Sequence, residues 1–176
     1  MFGIDESKTF KPIALAILTI SDTRTADTDT SGDTLDKRAS DAGHTVVERA
    51  IIKDDLEKLR TKVRNLVARH DIQAIITTGG TGLTGRDVTV EALRPLFSKE
   101  IDGFSAIFHQ VSYGTVGTST IQSRACAGII DTTLVFCLPG STGAVKDGWD
   151  NILKFQLDSR HSPCNLIEIL PRLGER

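Results

Sequence analysis

Along this chain, unbroken apolar runs alternate with stretches in which apolar residues recur every three or four positions. Residues 13–20, IALAILTI, form a continuous apolar run of strand length, the pattern of a strand covered on both faces. The polar, turn-rich stretch TADTDTSG at 25–32 follows, and a connection that long between strand and helix often carries function. A helix is predicted over about 33–42, with Gly43 as its C-terminal stop. Residues 45–52 read as a second strand ending at Lys53-Asp54. Asp54-x-x-Glu57 then has the form of a capping box opening a helix with Leu59, Val63, Leu66 and Val67 on its apolar face. Residues 72–77 make a third strand, followed by a glycine-rich loop. Thr89 opens a helical segment beyond it, with Ala92, Leu93, Leu96 and Phe97 at helical spacing and an expected end near Lys99.

The second half carries a short helix over 103–111, a Gly, Ser and Thr-rich stretch over 114–123, and two apolar runs at 125–130 and 133–138 joined by Asp131-Thr132. The two runs predict a hairpin that adds an antiparallel strand. A closing helix over 142–157 turns Val145, Trp149, Ile152 and Leu153 inward. Repeated strand–helix alternation predicts βαβ units with right-handed crossovers. The expected fold is therefore α/β: three αβα layers around a doubly wound, mostly parallel sheet with one antiparallel strand. Residues 1–11 are polar and aperiodic and read as a flexible arm; 12–176 read as a single domain. The apolar tail residues Leu166, Ile167, Ile169 and Leu170 have no obvious partner strand, so they lie either on the domain or on a neighbouring subunit.

The chemistry concentrates in residues 74–87, AIITTGGTGLTGRD, where Gly79, Gly80, Gly82 and Gly85 fall within seven residues. Glycine tolerates positive φ and close approach, so such a cluster past a buried strand presents main-chain N–H groups, most often to an anion. A tight strand-to-helix connection is the plainer alternative. Gly80 to Gly85 fits G-x-G-x-x-G, but it follows the third strand and has an Asp where a pyrophosphate would meet the helix, which argues against a nicotinamide or flavin. It also fits G-x-x-x-x-G, but Arg86 and Asp87 stand where a P-loop needs Lys and Ser or Thr.

Composition narrows the field further. Hydrophobic residues make up 39% and charged residues 25%, the net charge is −2, and 5% of residues are aromatic. That gives neither a basic field nor a stacking platform for nucleic acid. There is no apolar run of about 20 residues to cross a bilayer and no signal pattern, so a cytoplasmic protein with no membrane partner is expected. Cys126, Cys137 and Cys164 never form C-x-x-C and read as small packing residues, and the four histidines show no metal-ligand spacing.

In a doubly wound sheet, ligands bind at the carboxyl ends of the strands, so Ser21-Asp22, Asp54 and the glycine loop with Asp87 should share one crevice. Three acids beside an anion cradle repel one another unless a cation lies among them, and carboxylate plus phosphate is the usual setting of Mg²⁺. For Asp54 and Asp87, helix N-capping is the competing explanation.

As a set, TISD (19–22), DTSG (29–32), AGH (42–44), TTGGTGLTGRDVTVEAL (77–93), STIQSRACAG (119–128) and LPGS (138–141) resemble the MoaB/MogA family of molybdenum cofactor biosynthesis proteins, from about Pro12 to the tail. The resemblance implies a molybdopterin-binding α/β domain that assembles as a homotrimer or homohexamer. Active relatives attach AMP from Mg-ATP to the terminal phosphate of molybdopterin and release pyrophosphate; other members bind the pterin without adenylating it. Carried over residue by residue, the resemblance places the pterin phosphate on Gly79, Gly80, Thr81 and Gly82. It makes Asp54 and Asp87 the important acids, here assigned to catalysis and to holding Mg²⁺. It puts Ser21, Asp22, Ser123, Pro139, Gly140 and Ser141 around the substrate. Lys53, Val90 and Ser141 depart from residues frequent in adenylating relatives.

Overall fold

The computed structural model describes residues 3–175. In chain order the elements are β1 (Gly3–Ile4), β2 (Ala14–Ile20), α1 (Thr30–Asp41), β3 (Thr45–Ile52), α2 (Leu56–Val67), β4 (Ala74–Thr78) and α3 (Thr89–Leu93). Next come β5 (Lys99–Glu100), α4 (Asp102–Val116), β6 (Cys126–Ile130), β7 (Thr133–Leu138), α5 (Thr142–Gly148), α6 (Lys154–Gln156) and β8 (His161–Ser162). Six strands form one sheet in the order β3-β2-β4-β7-β6-β5. β2 lies parallel to β3 and β4, β4 lies parallel to β7, and β6 runs antiparallel to β7, as the hairpin pattern predicts, and also to the unforeseen edge strand β5.

The unbroken apolar runs follow from a sheet covered on both faces. Alternate residues of a strand point to opposite sides. In β2, Leu15 and Ile17 enter one core, while Ala16, Leu18 and Ile20 enter the other. β7 divides the same way, with Leu134, Phe136 and Leu138 on the first side and Val135 and Cys137 on the second. Leu35 and Ala39 of α1, Phe104 and Phe108 of α4 and Val145 of α5 close the first core; Leu59, Val63 and Leu66 of α2 and Leu93 of α3 close the second. Each fully buried Leu, Ile or Phe contributes about 1.5–3 kcal/mol relative to exposure.

Several boundaries differ from the sequence reading. The helix predicted to run from Thr89 to about Lys99 is cut short: α3 ends at Leu93, Arg94–Leu96 is a 3₁₀ turn, and the chain enters β5. Pro95 supplies no N–H for an α-turn there. α4 extends to Val116, beyond the expected 111, and the stretch after it, Gly117–Gln122, is 3₁₀. The closing helix holds a π-turn at Trp149–Leu153 between α5 and α6, with Trp149, Ile152 and Leu153 buried as expected. The region read as a flexible arm is fastened: β1 pairs antiparallel with β8, the Lys11 N–H donates to Ser159 Oγ at 2.8 Å, and that hydroxyl donates to the Thr9 carbonyl at 3.1 Å. Met1 and Phe2 of that arm lie outside the described residues. Most of the apolar tail finds its partner within the chain, since Ile167 is buried and Leu166 and Leu170 pack on the first core, while Ile169 stays exposed. Cys126 and Cys137 are core residues, whereas Cys164 is exposed and does not pack as expected.

Candidate functional site

The strand order reverses between β2 and β4: α1 leaves β2 on one face of the sheet, and α2 returns to β4 on the other. A crevice opens at such a switch point, and here the ends of β2, β4 and β7 meet closely. Gly79 has φ 105° and its N–H donates to the Leu138 carbonyl at 3.0 Å. A Cβ at Gly79 would collide with the Ile20 carbonyl oxygen at the end of β2. Gly140 approaches in turn, since its Cβ would sit 3.1 Å from the Gly79 Cα.

The loop beyond β4 is pinned through its carbonyls. Thr89 Oγ1 donates to the Gly79 carbonyl at 2.8 Å, and the Thr89 N–H donates to the Gly80 carbonyl at 2.9 Å. The Arg124 N–H donates to the Thr81 carbonyl at 3.0 Å, and its Nε donates to the Gly82 carbonyl at 2.8 Å. The Arg124 guanidinium also pairs with Glu91. By contrast, the N–H groups of Gly80 and Thr81 have no acceptor among the described residues. Gly80 holds φ 66°, which an L side chain rarely adopts, and that conformation sets the direction of these donors.

This loop forms part of a cavity of about 780 Å³. Of the residues singled out from sequence, Ser21, Asp54, Gly79, Gly80, Thr81, Gly82, Asp87, Ser123, Pro139, Gly140 and Ser141 all line it. Asp22 does not: its carboxylate is exposed, accepts from Arg86 Nε at 3.0 Å and takes the Asp54 N–H at 3.3 Å, so it steadies the site from outside. The Ser141 hydroxyl caps α5 by accepting the Ala144 N–H at 3.1 Å, and the Ser21 hydroxyl accepts the Thr23 and Arg24 N–H groups at 3.2 Å.

The capping explanation for the two acids does not hold. The cap of α2 is Asp55, whose side chain accepts the Lys58 N–H at 2.9 Å, and Asp54 is left facing the cavity. Asp54 lies against Gly80, 3.4 Å from where a Cβ would stand. Its carboxyl is raised above the ordinary value, first by burial and then by the nearby carboxylates of Asp22 and Asp87. Asp87 does not cap α3; it accepts the Thr84 hydroxyl at 2.6 Å and the Thr84 N–H at 2.9 Å. Burial pushes the Asp87 carboxyl up, but these bonds, the Gly82 N–H and Arg124 outweigh it and hold it below the usual range.

Sequence reasoning missed Arg24, Asp29, Ser31, Ser112, Thr115 and Lys146, which also line the cavity. Asp29 was the most legible, in a loop already marked as long. It is almost fully buried, caps α1 through the Gly32 N–H at 2.9 Å, and pairs with Arg49 at 2.9 Å. Ser112 and Thr115 lie on the part of α4 beyond its expected end, so no sequence signal placed them at the site. Among the described residues no group of three or more His, Cys, Asp or Glu could hold a metal ion. Asp54 and Asp87 are two hard oxygen donors in one cavity, and their mutual repulsion is what a divalent cation with phosphate and water as further ligands would relieve. No helix of the described chain is long and apolar enough to cross a membrane.

The family model described as "Probable molybdopterin binding domain" matches residues 16–159. Molybdenum cofactor biosynthesis protein B of Escherichia coli (strain K12) is 47% identical over 159 residues, covering 90% of this chain and 94% of that protein. The Bacillus anthracis protein of the same name is 46% identical over 137 residues, covering 77% and 81%. A crystal structure of molybdenum cofactor biosynthesis protein B superposes with a TM-score of 0.85 at 38% identity over 96% of this chain and all of that one. The tungsten cofactor synthesizing protein MoaB from Pyrococcus furiosus gives 0.77 at 32% identity, covering 94% of this chain and 99% of that one. Motifs, fold and these likenesses agree over nearly the whole length, and the chain belongs to the molybdopterin-binding domain family of molybdenum cofactor biosynthesis proteins.

Proposed function

We propose that this protein adenylates molybdopterin with Mg-ATP and releases pyrophosphate. The observation that carries this reading is the glycine loop: the carbonyls of Gly79, Gly80, Thr81 and Gly82 are engaged with the protein, the Gly80 and Thr81 N–H groups are not, and two carboxylates stand beside them. Such donors suit the terminal phosphate of the pterin and orient one of its oxygens as the nucleophile. That oxygen forms a bond to the α-phosphorus of ATP, the bond from the α-phosphorus to the bridging oxygen breaks, and pyrophosphate departs. Asp54 and Asp87 would hold Mg²⁺, which when bound neutralises charge gathering on the phosphates. Asp22 and Arg86 keep Asp54 in place from outside the cavity, and Ser123 and the Pro139-Gly140-Ser141 turn wall in the substrate.

The test is pyrophosphate release by the purified protein given molybdopterin and Mg-ATP. Release well above background is expected. Its absence, with pterin binding intact, would leave a carrier that stores or hands on the pterin. Asp54→Asn should abolish turnover with little change in melting temperature, because Asp55 and not Asp54 caps α2.

We also infer that the protein works in the cytoplasm and self-associates at least as a trimer. The tail gives little support for assembly, since Leu166, Ile167 and Leu170 pack on their own domain and Ile169 alone of the four is exposed. The support comes from Ile107, Tyr113 and Ile121, which are 47–73% exposed on α4 and the turn after it.

A further inference from the structure

Four carboxylates line the cavity, and three of them are already engaged. Asp29 pairs with Arg49 at 2.9 Å, Asp87 takes the Thr84 hydroxyl at 2.6 Å, and Asp147 takes the Thr115 hydroxyl at 2.7 Å. Two cations also line it, Arg24 and Lys146, and neither has a carboxylate in ion-pair reach among the described residues. An arginine or lysine on an open surface is ordinarily just solvated. These two instead line the same cavity, and the backbone that carries each is held in place. The Arg24 Nη1 donates to the Thr28 carbonyl at 2.7 Å, and its N–H donates to Ser21 Oγ at 3.2 Å. Lys146 rides on α5, whose start is tied to α1 by the Thr30 and Thr142 hydroxyls at 3.1 Å and by Ser31 Oγ donating to the Gly140 carbonyl at 3.1 Å.

α1 and α5 cover the first core, on one face of the sheet; the loop before α1 brings Arg24 and Asp29, the latter neutralised by Arg49, and α5 brings Lys146 and Asp147. α2 and α3 cover the second, on the other face, and their leading loops bring Asp54 and Asp87, with no cation among the described residues lining the cavity from that side. The ends of β2 and β4 lie between. Adenylylation brings two polyanions into this space, and the free N–H groups of the glycine loop serve only one phosphate. As the bond to the α-phosphorus breaks, the departing pyrophosphate gathers negative charge, which cations and not carboxylates stabilise.

We propose that Arg24 and Lys146 hold the β- and γ-phosphates of the nucleotide and so select a nucleoside triphosphate over a monophosphate. The assignment rests on the adenylylation reading above. It is tested by calorimetric titration of ATP and of AMP, each with Mg²⁺, into the wild-type protein and into Arg24→Gln, Lys146→Gln and Lys146→Arg. Both side chains are exposed, so the variants should melt like the wild type. ATP affinity should fall about tenfold or more in each neutral variant, the loss of a charge-assisted contact to phosphate. AMP and molybdopterin affinities should change little, and Lys146→Arg should keep most of the ATP affinity. Unchanged ATP binding in both neutral variants, equal losses for ATP and AMP, or a loss of pterin binding instead would overturn the assignment and leave adenylylation standing. A wild-type protein that binds molybdopterin but no ATP would remove the assignment and the adenylylation reading together.

Discussion

Gly79 shows how one residue can fix a site. Its φ of 105° is closed to most side chains, and the Ile20 carbonyl oxygen occupies the space a Cβ would need. Strain of this kind costs about 1–3 kcal/mol before the collision is counted. Gly79→Ala should therefore lower the melting temperature and weaken pterin binding, as the end of β2 and the loop are forced apart. Gly85, further along the same loop, has ordinary φ, and the place a Cβ would take there is open, with nothing within 4 Å. Gly85→Ala should bind and melt like the wild type, and thermal melting with a pterin titration separates the two. Gly82 is constrained differently: a Cβ there would stand 2.8 Å from the Asp87 carboxylate, so Gly82→Ala should disturb that acid more than the fold.

At the level of elements, the most instructive pair is Asp54 and its neighbour. Either could begin a helix by composition, but the chain turns so that Asp55, at φ −134°, receives the Lys58 N–H while Asp54 faces the cavity. Substituting a good N-cap by Ala destabilises a helix. Asp55→Ala should thus drop the melting temperature by a few degrees and leave turnover near normal, the reverse of Asp54→Asn. Equal behaviour of the two variants in melting and turnover would mean that the roles are not divided as the hydrogen bonds indicate. The α3 segment makes a related point: Pro95 ends a helix that its apolar spacing would continue, and the chain freed by that break supplies edge strand β5.

For the whole molecule, His44 connects stability to pH. It is buried, its Nδ1 accepts the Ile13 N–H at 3.3 Å, and its ring lies 5.2 Å from Phe10. Burial lowers its pKa below the ordinary 6.5, more than the attraction of Asp158 raises it. The unfolded chain then binds a proton before the folded one does, so this contribution is full above the ordinary histidine value and is lost as pH falls below it. The melting temperature should decline between pH 7 and pH 5, and a ring titration followed by NMR should give His44 a pKa below that of an exposed histidine. A flat stability profile over that range would contradict this. Assembly belongs to this scale too: light scattering at micromolar protein should give at least three times the chain's 19.1 kDa, and a fully active monomer would refute the trimer.

The sequence by itself determined the layers, the order of strand and helix, the antiparallel hairpin and the loop on which the site is built. Those features rest on short-range rules: apolar runs for doubly covered strands, spacing of three and four for helices, and glycine where φ must be positive. From the strand-end rule alone, Asp54, Asp87 and the glycine loop were expected in one crevice, and they line one cavity. Only the tertiary structure decided which of two adjacent aspartates caps α2, that Asp22 turns outward to Arg86, and that the tail and the N-terminal segment lie on their own domain. It alone brought Arg24 and Lys146, far apart along the chain, to one cavity. Spacing along the chain cannot register such choices, because each depends on which partner reaches a group first once the layers have packed.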